Sequence, residues 1–235
     1  MTTQQFLDQL DARIAKYDLL CHPFYKAWSA GELSRDDLRE YAKDYYHHVE
    51  AFPTYLAEFA IRMDDCELRR AVLANMAEEK GISDASGQEF RAHSELWLDF
   101  VEGMGGDRGM KNHIPASEVA ELTQFFHRAA TDEAPDQVLA AFYAYESQVP
   151  RVAGEKARGL REMYGVDEKT CAYFTVHETA DAFHAEVWRR QLSKTIEENP
   201  ARAGQALIAA ETAAKALWRA LDGIEAKRRA SKTAD

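Results

Sequence analysis

The residues with the clearest capacity for chemistry lie in one segment, YFTVHETADAFHAEVW. His177, Asp181 and His184 recur there at positions i, i+4 and i+7. At about 100° per residue, a helix places these three side chains within about 60° of one another. Two imidazoles and a carboxylate on one face are donors that iron and manganese accept in proteins. The spacing therefore predicts a metal-binding helix face.

Apolar residues surround this face on the same predicted helix. Tyr173 and Phe174 precede the three polar residues, and Val187 and Trp188 follow them. The pattern predicts that the stripe belongs to the core. Because buried carboxylates and imidazoles are costly without partners, we expect a metal ion or a hydrogen-bonded core network here.

A second carboxylate, Glu146, interrupts another apolar stripe in DQVLAAFYAYESQVP. Its neighbours at i−3, i−4, i−7 and i−8 are Tyr143, Phe142, Leu139 and Val138. A carboxylate in the middle of such a stripe must be paired or metal-bound.

A weaker pattern lies in NMAEEKGISDASGQEFRAHSELW, where Glu78, Glu79 and His93 flank a short polar stretch. Their spacing is not helical. A register shift of one residue turns a helical side chain by about 100°, so Glu78 is an alternative to Glu79.

Together these patterns give six candidate ligands that contain oxygen and nitrogen but no sulfur. They are Glu79, His93, Glu146, His177, Asp181 and His184. This is the donor set of a carboxylate-bridged dinuclear iron or manganese site. A purely hydrogen-bonded core network remains the alternative.

The elements that must position these residues are helices. From Glu32 to Lys80 there is no glycine and one proline, and apolar residues recur at three and four. Ser34 and Ser117 are expected N-caps, and Gly31, Gly81 and Gly103–Gly109 mark breaks. We predict helices near 3–20, 35–62, 65–80, 88–103, 117–132, 136–163, 167–195 and 201–229. The predicted fold class is all-α, with one multi-helix bundle over 1–230 and a disordered tail over 231–235.

Charge and composition exclude other classes of function. The 235-residue chain has a net charge of −11, which disfavours nucleic-acid binding. The first residues lack the order of a signal peptide, and no apolar run has the length of a membrane span. We therefore expect a soluble, cytoplasmic protein. Three widely spaced cysteines argue against a disulfide scaffold or structural zinc, and we expect them to be buried thiols.

Longer motifs resemble a known family. FLDQLD, FYKAWSAGEL, YAKDYYHH with AFPTYL, YAYESQVPRVAGEKARGL and YFTVHETADAFH cover about residues 5–195. They resemble the Chlamydia protein associating with death domains (CADD) and its bacterial relatives. That family belongs to the haem-oxygenase-like bundles, which include the pyrroloquinoline-quinone biosynthesis C protein and the TENA fold.

The resemblance implies the same six ligands, two divalent ions (iron, manganese or both) and dioxygen as the oxidant. It implies formation of para-aminobenzoate for folate, with a tyrosine of the protein, Tyr25 here, as the aromatic source. Tyr41, Tyr173 and Lys156 correspond to further residues of that chemistry, and Lys156 is the implied amine donor. An external reductant is a further expected partner, and a homodimer is common in this fold.

Sequence reasoning alone gives these four residues plainer roles. Tyr25 and Tyr41 fit aromatic packing, Tyr41 in a stripe with Tyr45, and Lys156 is expected to be exposed. Tyr173 lies one turn before His177 on the same helix face, so helix geometry alone places it near any metal bound there. Several more residues separate Glu79 from His93 than in the chlamydial protein, although the alignment of Asn75 favours Glu79 over Glu78.

Three rival functions remain. The first is a dinuclear oxygenase that acts on an external small molecule, such as a fatty acid or an amino-acid derivative. The second is a thiaminase-like hydrolase, which would need Cys171 as its nucleophile and is disfavoured because Cys171 lies on the opposite side of the helix from His177. The third is a non-enzymatic protein that binds death domains.

Overall fold

The computed structural model describes residues 1–64, 66–82 and 91–233, and within them it is helical, with no β-strand. Short 3₁₀ turns occupy Leu19–Cys21, Met110–Asn112 and Pro200–Arg202. The α-helices are α1 (Thr3–Ala15), α2 (Pro23–Ser29), α3 (Arg35–Ile61), α4 (Glu67–Glu79), α5 (His93–Gly103), α6 (Ser117–Asp132), α7 (Pro135–Glu146), α8 (Val149–Glu162), α9 (Glu168–Glu198) and α10 (Ala203–Lys232). The prediction of an all-α bundle is confirmed.

Three long helices, α3, α9 and α10, organise the bundle. Helix α9 packs against α5, α7 and α8, whereas α10 packs against α6 and α7. Helix α3 packs against α4, α5 and α6. The stripe of α9 that carries the candidate ligands therefore faces the interior, between α5, α7 and the end of α4.

Local sequence signals explain where the long helices begin. Ser34 accepts a hydrogen bond from the Asp37 backbone, and the Asp37 side chain accepts one from Ser34, which completes a capping box. Asp167 is the N-cap of α9, and its side chain accepts a hydrogen bond from the Thr170 backbone. The N-cap predicted at Ser117 is wrong, because Ala116 precedes the first helical residue there.

Two predicted helices have different bounds in the structure, and one helix was not predicted. The first ends at Ala15 instead of residue 20, and a separate α2 follows, with His22 as N-cap and Pro23 as its first residue. The helix predicted over 136–163 is split after Glu146, because Pro150 lacks an N–H and its ring would clash with the carbonyl of residue 146.

Three further predictions concern the glycine breaks, the cysteines and the C-terminal tail. Gly31 and Gly81 have positive φ values of 70° and 65°, as their predicted breaks require. Cys171 is buried, but Cys21 and Cys66 are exposed, contrary to expectation. Helix α10 continues to Lys232, whereas the last two residues of the predicted tail, 234–235, lie outside the described part of the chain.

Membrane spans were predicted to be absent. Within the described residues, none of the helices combines the length and the apolar character that a bilayer crossing needs.

The contact between α2 and α8 depends on Gly159. A Cβ at this position would lie 2.9 Å from Cδ1 and 3.0 Å from Nε1 of Trp28, whose side chain is fully buried and donates to the Lys156 carbonyl. We predict that Gly159→Ala lowers the free energy of unfolding by about 1–3 kcal/mol through overpacking. Thermal unfolding measures this, at about 2–4 °C per kcal/mol for a domain of this size.

Gly204→Ala is the matched control for this variant. A Cβ at Gly204, in the first turn of α10, meets no atom within 4 Å. The control should be neutral or slightly stabilising, since alanine favours helix more than glycine does. Equal effects of the two substitutions would contradict the close packing of α2 on α8.

Candidate functional site

The first group of candidate ligands joins three helices. Glu79 ends α4, His93 begins α5 and His177 lies on α9. One donor atom from each lies within 4.8 Å of the others, and all three side chains are buried. Glu79 Oε2 is 2.9 Å from His93 Nδ1, and Glu79 Oε1 is 3.8 Å from His177 Nε2. The sequence separations of these residues gave no such indication, because the ligands come from different elements.

The second group lies further along α9. Glu146, Asp181 and His184 are buried, and their donor atoms also lie within 4.8 Å of one another. His184 Nδ1 is 3.5 Å from both Glu146 Oε1 and Asp181 Oδ1. The structure therefore brings together all six predicted ligands as two neighbouring groups, and the stripe on α9 contributes to both.

The arrangement of the candidate ligand atoms fits bound metal ions better than a closed hydrogen-bond network. Within the described residues, His93 Nδ1 and His184 Nδ1 are buried without a hydrogen-bond partner. His93 Nδ1 is close to Glu79, but the arrangement is not that of a hydrogen bond. Buried imidazole nitrogens normally have a partner, so two orphaned ones that face carboxylates leave positions that a cation would satisfy.

A hydrogen bond to the backbone determines which ring nitrogen of His177 carries the proton. Its Nδ1 donates to the Tyr173 carbonyl at 2.7 Å, because a carbonyl oxygen can only accept. The lone pair of the neutral ring is therefore on Nε2, the nitrogen that faces Glu79. Burial opposes a charge on this ring, but the Asp181 and Glu79 carboxylates together raise the pKa of His177.

Two donors hold Glu146 in place. Asn75 Nδ2 donates to Oε1 at 2.9 Å, and Trp188 Nε1 donates to Oε2. Burial raises the pKa of Glu146 to about 8, although nearby His184 opposes the rise. Burial opposes a charge on His184 as well, but contacts with Asp181 and Glu78 raise its pKa to about 11. In the absence of a cation, protons on Glu146 and His184 thus offset the buried negative charge of this group.

The structure separates the roles of the two adjacent glutamates. Glu79 is buried in the first group, and its pKa is held well below the usual range because the charges of His93 and His177 outweigh its burial. The Glu78 side chain is 55% exposed and contacts His184 from outside. The choice of Glu79 over Glu78 as a candidate ligand thus agrees with the geometry.

A separate cluster contains Tyr25, Tyr41 and Lys156. Lys156 Nζ donates to the Tyr41 hydroxyl at 2.5 Å, and this hydroxyl is 3.0 Å from that of Tyr25. Nζ also lies 4.3 Å from the centre of the Tyr25 ring and 4.8 Å from that of Tyr41. All three side chains are buried.

The exposed position expected for Lys156 from sequence alone is wrong. Its side chain points between α2 and α3, and burial lowers the pKa of the amine well below its ordinary value. Among the described residues, no carboxylate lies within ion-pair distance of Nζ.

Tyr173 links this cluster to the ligands. Its ring stacks on His177, with centroids 3.9 Å apart. It also lines a small cavity of about 30 Å³, together with Tyr25 and Lys156. The cavity has room for one or two water-sized molecules. The two clusters therefore meet across a small cavity.

The sequence analysis did not assign roles to several residues of the site. Asn75 and Trp188, which position Glu146, and Tyr45 and Tyr145, which line the cavity, are the clearest cases. Burial raises the pKa of Tyr45, and a hydrogen bond with Tyr145 offsets part of the rise. In a sequence, aromatic residues on an apolar stripe cannot be distinguished from ordinary core residues. The one available signal was Glu146 itself, because a carboxylate in the core needs hydrogen-bond donors.

Cys171 has no role at this site. Burial raises the pKa of its thiol, and the residue does not line the cavity beside Lys156. A nucleophilic cysteine needs the opposite shift. This finding further disfavours a thiaminase-like hydrolase.

Comparisons with known proteins agree with this arrangement. Residues 39–218 match the family described as iron-containing redox enzyme. A 4-aminobenzoate synthase from Chlamydia trachomatis is 38% identical over 93% of this chain and 91% of its own. A pyrroloquinoline-quinone synthase from Acidiphilium cryptum is 29% identical over 95% of this chain and 91% of its own.

A solved structure has the same fold. It is a domain of unknown function with a haem-oxygenase-like fold from Shewanella denitrificans, with a TM-score of 0.81. The alignment covers 100% of this chain and 97% of that one, at 16% identity. The haem-oxygenase-like architecture predicted from the sequence is thereby confirmed.

The buried amine should reduce stability. We predict that Lys156→Met, which keeps the length of the side chain but removes its charge, raises the free energy of unfolding by about 1–3 kcal/mol. Urea or thermal unfolding measures the change. Lys215→Met, at an exposed position of α10, is the control and should stay within about 0.5 kcal/mol. A destabilised Lys156→Met protein would contradict the assigned cost of the amine.

The gain from Lys156→Met should depend on pH. Because burial lowers the folded-state pKa of this amine, the unfolded chain binds one more proton below the unfolded pKa of about 10.4. The stability of the parent protein therefore rises with pH relative to the variant. We expect the stability difference to shrink between about pH 7 and 9.5. A constant difference across this range would show that the lysine is charged in the folded state.

Proposed function

This chain belongs to the family of iron-containing redox enzymes with a haem-oxygenase-like fold, and on that premise we propose that it forms 4-aminobenzoate in an oxygen-dependent reaction. The name of its chlamydial relative states this product, and the relative matches nearly the whole chain. The residues that the resemblance assigned to this chemistry lie together in the core.

In this proposal the two groups on α9 each hold one divalent ion, iron or manganese. Glu79, His93 and His177 form one site, and Glu146, Asp181 and His184 form the other. Ions bound there would supply the redox chemistry that uses dioxygen as the oxidant and needs an external reductant. Two divalent cations and three carboxylates leave a modest net positive charge. The three buried imidazoles add no charge when they bind as neutral ligands.

The observation that carries the proposal is the position of Tyr25. Its ring is buried 4.3 Å from Lys156 Nζ and lines the same cavity as Tyr173, whose ring stacks on the candidate ligand His177. A cavity that binds benzene has a volume on the order of 150 Å³, so about 30 Å³ cannot admit an external aromatic ring. The aromatic ring already at this position belongs to the protein.

The atoms of Tyr25 match those of the product. In 4-aminobenzoate a carboxyl carbon lies para to nitrogen, as Cβ of tyrosine lies para to the phenol oxygen. Tyr25 would supply the ring and Cβ, its Cα–Cβ bond would break, and dioxygen would oxidise Cβ to the carboxyl group. Nitrogen would replace the phenol oxygen, which would leave as water. The carbon–nitrogen bond of the amine donor would break, and its carbon would be oxidised to an aldehyde with dioxygen as the final electron acceptor. The protein would then act once instead of turning over.

Lys156 is suited to supply this nitrogen. Burial favours the neutral amine, whose lone pair can react with carbon, over the ammonium ion. Its hydrogen bond to Tyr41 directs Nζ toward the Tyr25 ring from a fixed position. Apolar side chains, which include Val149 and Val152, form part of the cavity wall beside this amine.

An oxygenase that acts on an external substrate is the alternative enzymatic function. A wider cleft of about 500 Å³ lies between α3 and α10 and has Phe24 and Tyr41 on its floor. It is not lined by Tyr25, Lys156 or Tyr173. A small molecule bound there would thus lie apart from the cavity that borders the candidate ligands.

Metal content tests the two-site assignment. We predict about two metal ions per chain after anaerobic reconstitution with Fe²⁺ or Mn²⁺, and loss of about one with either Glu146→Gln or His177→Ala. Elemental analysis after desalting measures this. His127→Ala, on the surface of α6, should bind the same amount of metal as the parent protein. A metal-free parent protein would instead support a core network and raise the death-domain interaction alternative.

Product formation tests the role of Tyr25. We predict that Tyr25→Phe abolishes 4-aminobenzoate formation but leaves metal content unchanged, because the phenol is removed at a position away from the ligands. Oxygen exposure of the reduced, metal-loaded protein, followed by chromatography of the small molecules, measures the product. The parent protein should yield at most one product per chain, and the peptide that contains residue 25 should change mass.

Tyr17→Phe is the control for this substitution. Tyr17 is partly exposed and packs on Trp218, away from Lys156. It should leave the yield unchanged. Product from the Tyr25→Phe protein, or many turnovers on an added substrate, would select the external-substrate oxygenase.

A further inference from the structure

The last two turns of α4 contact both groups of candidate ligands. Asn75 donates to Glu146, and Glu79 lies in the first group beside His177. Glu78, one residue before Glu79, turns to the other side and contacts His184 of the second group. The proposed function uses Glu79 but leaves Glu78 without a role.

The two nitrogens of His184 have different surroundings. Nδ1 faces the Glu146 and Asp181 carboxylates at 3.5 Å and makes no hydrogen bond within the described part of the chain. Nε2 points outward and is 3.1 Å from Glu78 Oε2. Because an ionised carboxylate can only accept hydrogen bonds, Nε2 carries a proton and donates a hydrogen bond to Glu78. In the neutral ring this leaves the lone pair on Nδ1, toward the two candidate ligands.

Glu78 itself does not meet the description of a ligand. The carboxylate is outside the set of donor atoms that lie within 4.8 Å of one another. Its side chain is 55% exposed, whereas the side chains of Glu146, Asp181 and His184 are at most 4% exposed. Its only described contact with the group is through the outer nitrogen of His184.

From this geometry we propose that Glu78 is a positioning residue, which fixes the tautomer and ring orientation of His184 for metal binding through Nδ1. This inference rests on the metal centre of the proposed function. Imidazole ligands usually donate their second N–H to an acceptor, and a carboxylate acceptor makes the ring a better ligand. His177 meets the same need differently, since its second nitrogen donates to the uncharged Tyr173 carbonyl.

The two adjacent glutamates therefore serve different metal sites in different ways. Glu79 contributes its oxygens to the first site, and Glu78 acts on the second through His184. Loss of Glu78 should weaken one metal position selectively, because His177 and His93 have no contact with it through their own ring nitrogens in the described structure.

A Mn²⁺ titration monitored by electron paramagnetic resonance tests this role. We expect Glu78→Ala to weaken one of two binding equivalents by about 10–100-fold and to leave the other unchanged. Glu78→Gln should fall between Glu78→Ala and the parent protein, since an amide oxygen accepts the hydrogen bond without the charge. Glu67→Gln, at an exposed position in the first turn of α4, is the matched control and should bind as the parent does. Circular dichroism confirms that all variants are folded.

A spectroscopic readout separates positioning from a general structural effect. With Zn²⁺ as a diamagnetic probe and ¹⁵N-labelled histidine, the His184 ring of the parent protein should show metal-bound Nδ1 and a protonated Nε2 protected from exchange. In Glu78→Ala the Nε2 proton should exchange rapidly or the tautomer should change. The His177 signals should not move.

The possible results distinguish failure of the role of Glu78 from failure of the metal centre. Two unchanged equivalents and an unchanged His184 tautomer in Glu78→Ala would refute the role of Glu78 and leave the metal centre intact. Complete loss of one equivalent, as expected for Glu146→Gln, would make Glu78 a ligand instead of a positioning residue. A parent protein that binds no Mn²⁺ would refute the metal centre itself.

Discussion

The structure depends on the cost of burying ionisable groups in an aromatic helical core. At the candidate site, three carboxylates, three imidazoles and one amine have little access to solvent. Removing such groups from water is unfavourable unless opposite charges and hydrogen bonds replace hydration. The carboxylates and imidazoles of α9 and its neighbours compensate one another in part, whereas Lys156 has a single phenol as its hydrogen-bond acceptor. Stability alone gives no reason to retain such a core, so its chemistry is the better explanation.

The helices that deliver these groups also restrict them. Helix α9 is anchored by α5, α7 and α8, so the positions of His177, Asp181 and His184 follow from packing of the whole bundle. Helix α4 contributes less apolar packing and meets the site through Asn75, Glu78 and Glu79. A cation bound between these side chains and α9 would therefore hold the end of α4 in place. Metal binding and local order at this end of the bundle are expected to be linked.

Helical periodicity carried much of what could be predicted from the sequence. It placed His177, Asp181 and His184 on one inward face and identified Glu146 as a carboxylate within the core. It could not show that Glu79 and His93 approach His177, because such contacts depend on tertiary packing between elements. It also failed at Lys156, because the burial of this side chain beside Tyr25 depends on the packing of α8 against α2, which periodicity does not show. The separate α2 was also missed; the side chain of its N-cap, His22, contacts Asp222 of α10 as well as the first turn of α2.

The burial of Tyr25 has a consequence for the lifetime of the protein. Its ring fills space between Phe24, Trp28 and Tyr41, and its removal as product would leave a void in the core. Losing a large buried aromatic side chain costs about 3–5 kcal/mol, a large part of the 5–15 kcal/mol typical of a whole domain. A chain that has reacted would open more often and expose itself to proteases, while an unreacted chain would stay folded. Consumption of the tyrosine would in this way mark the spent molecule for degradation and tie the supply of product to the rate of protein synthesis.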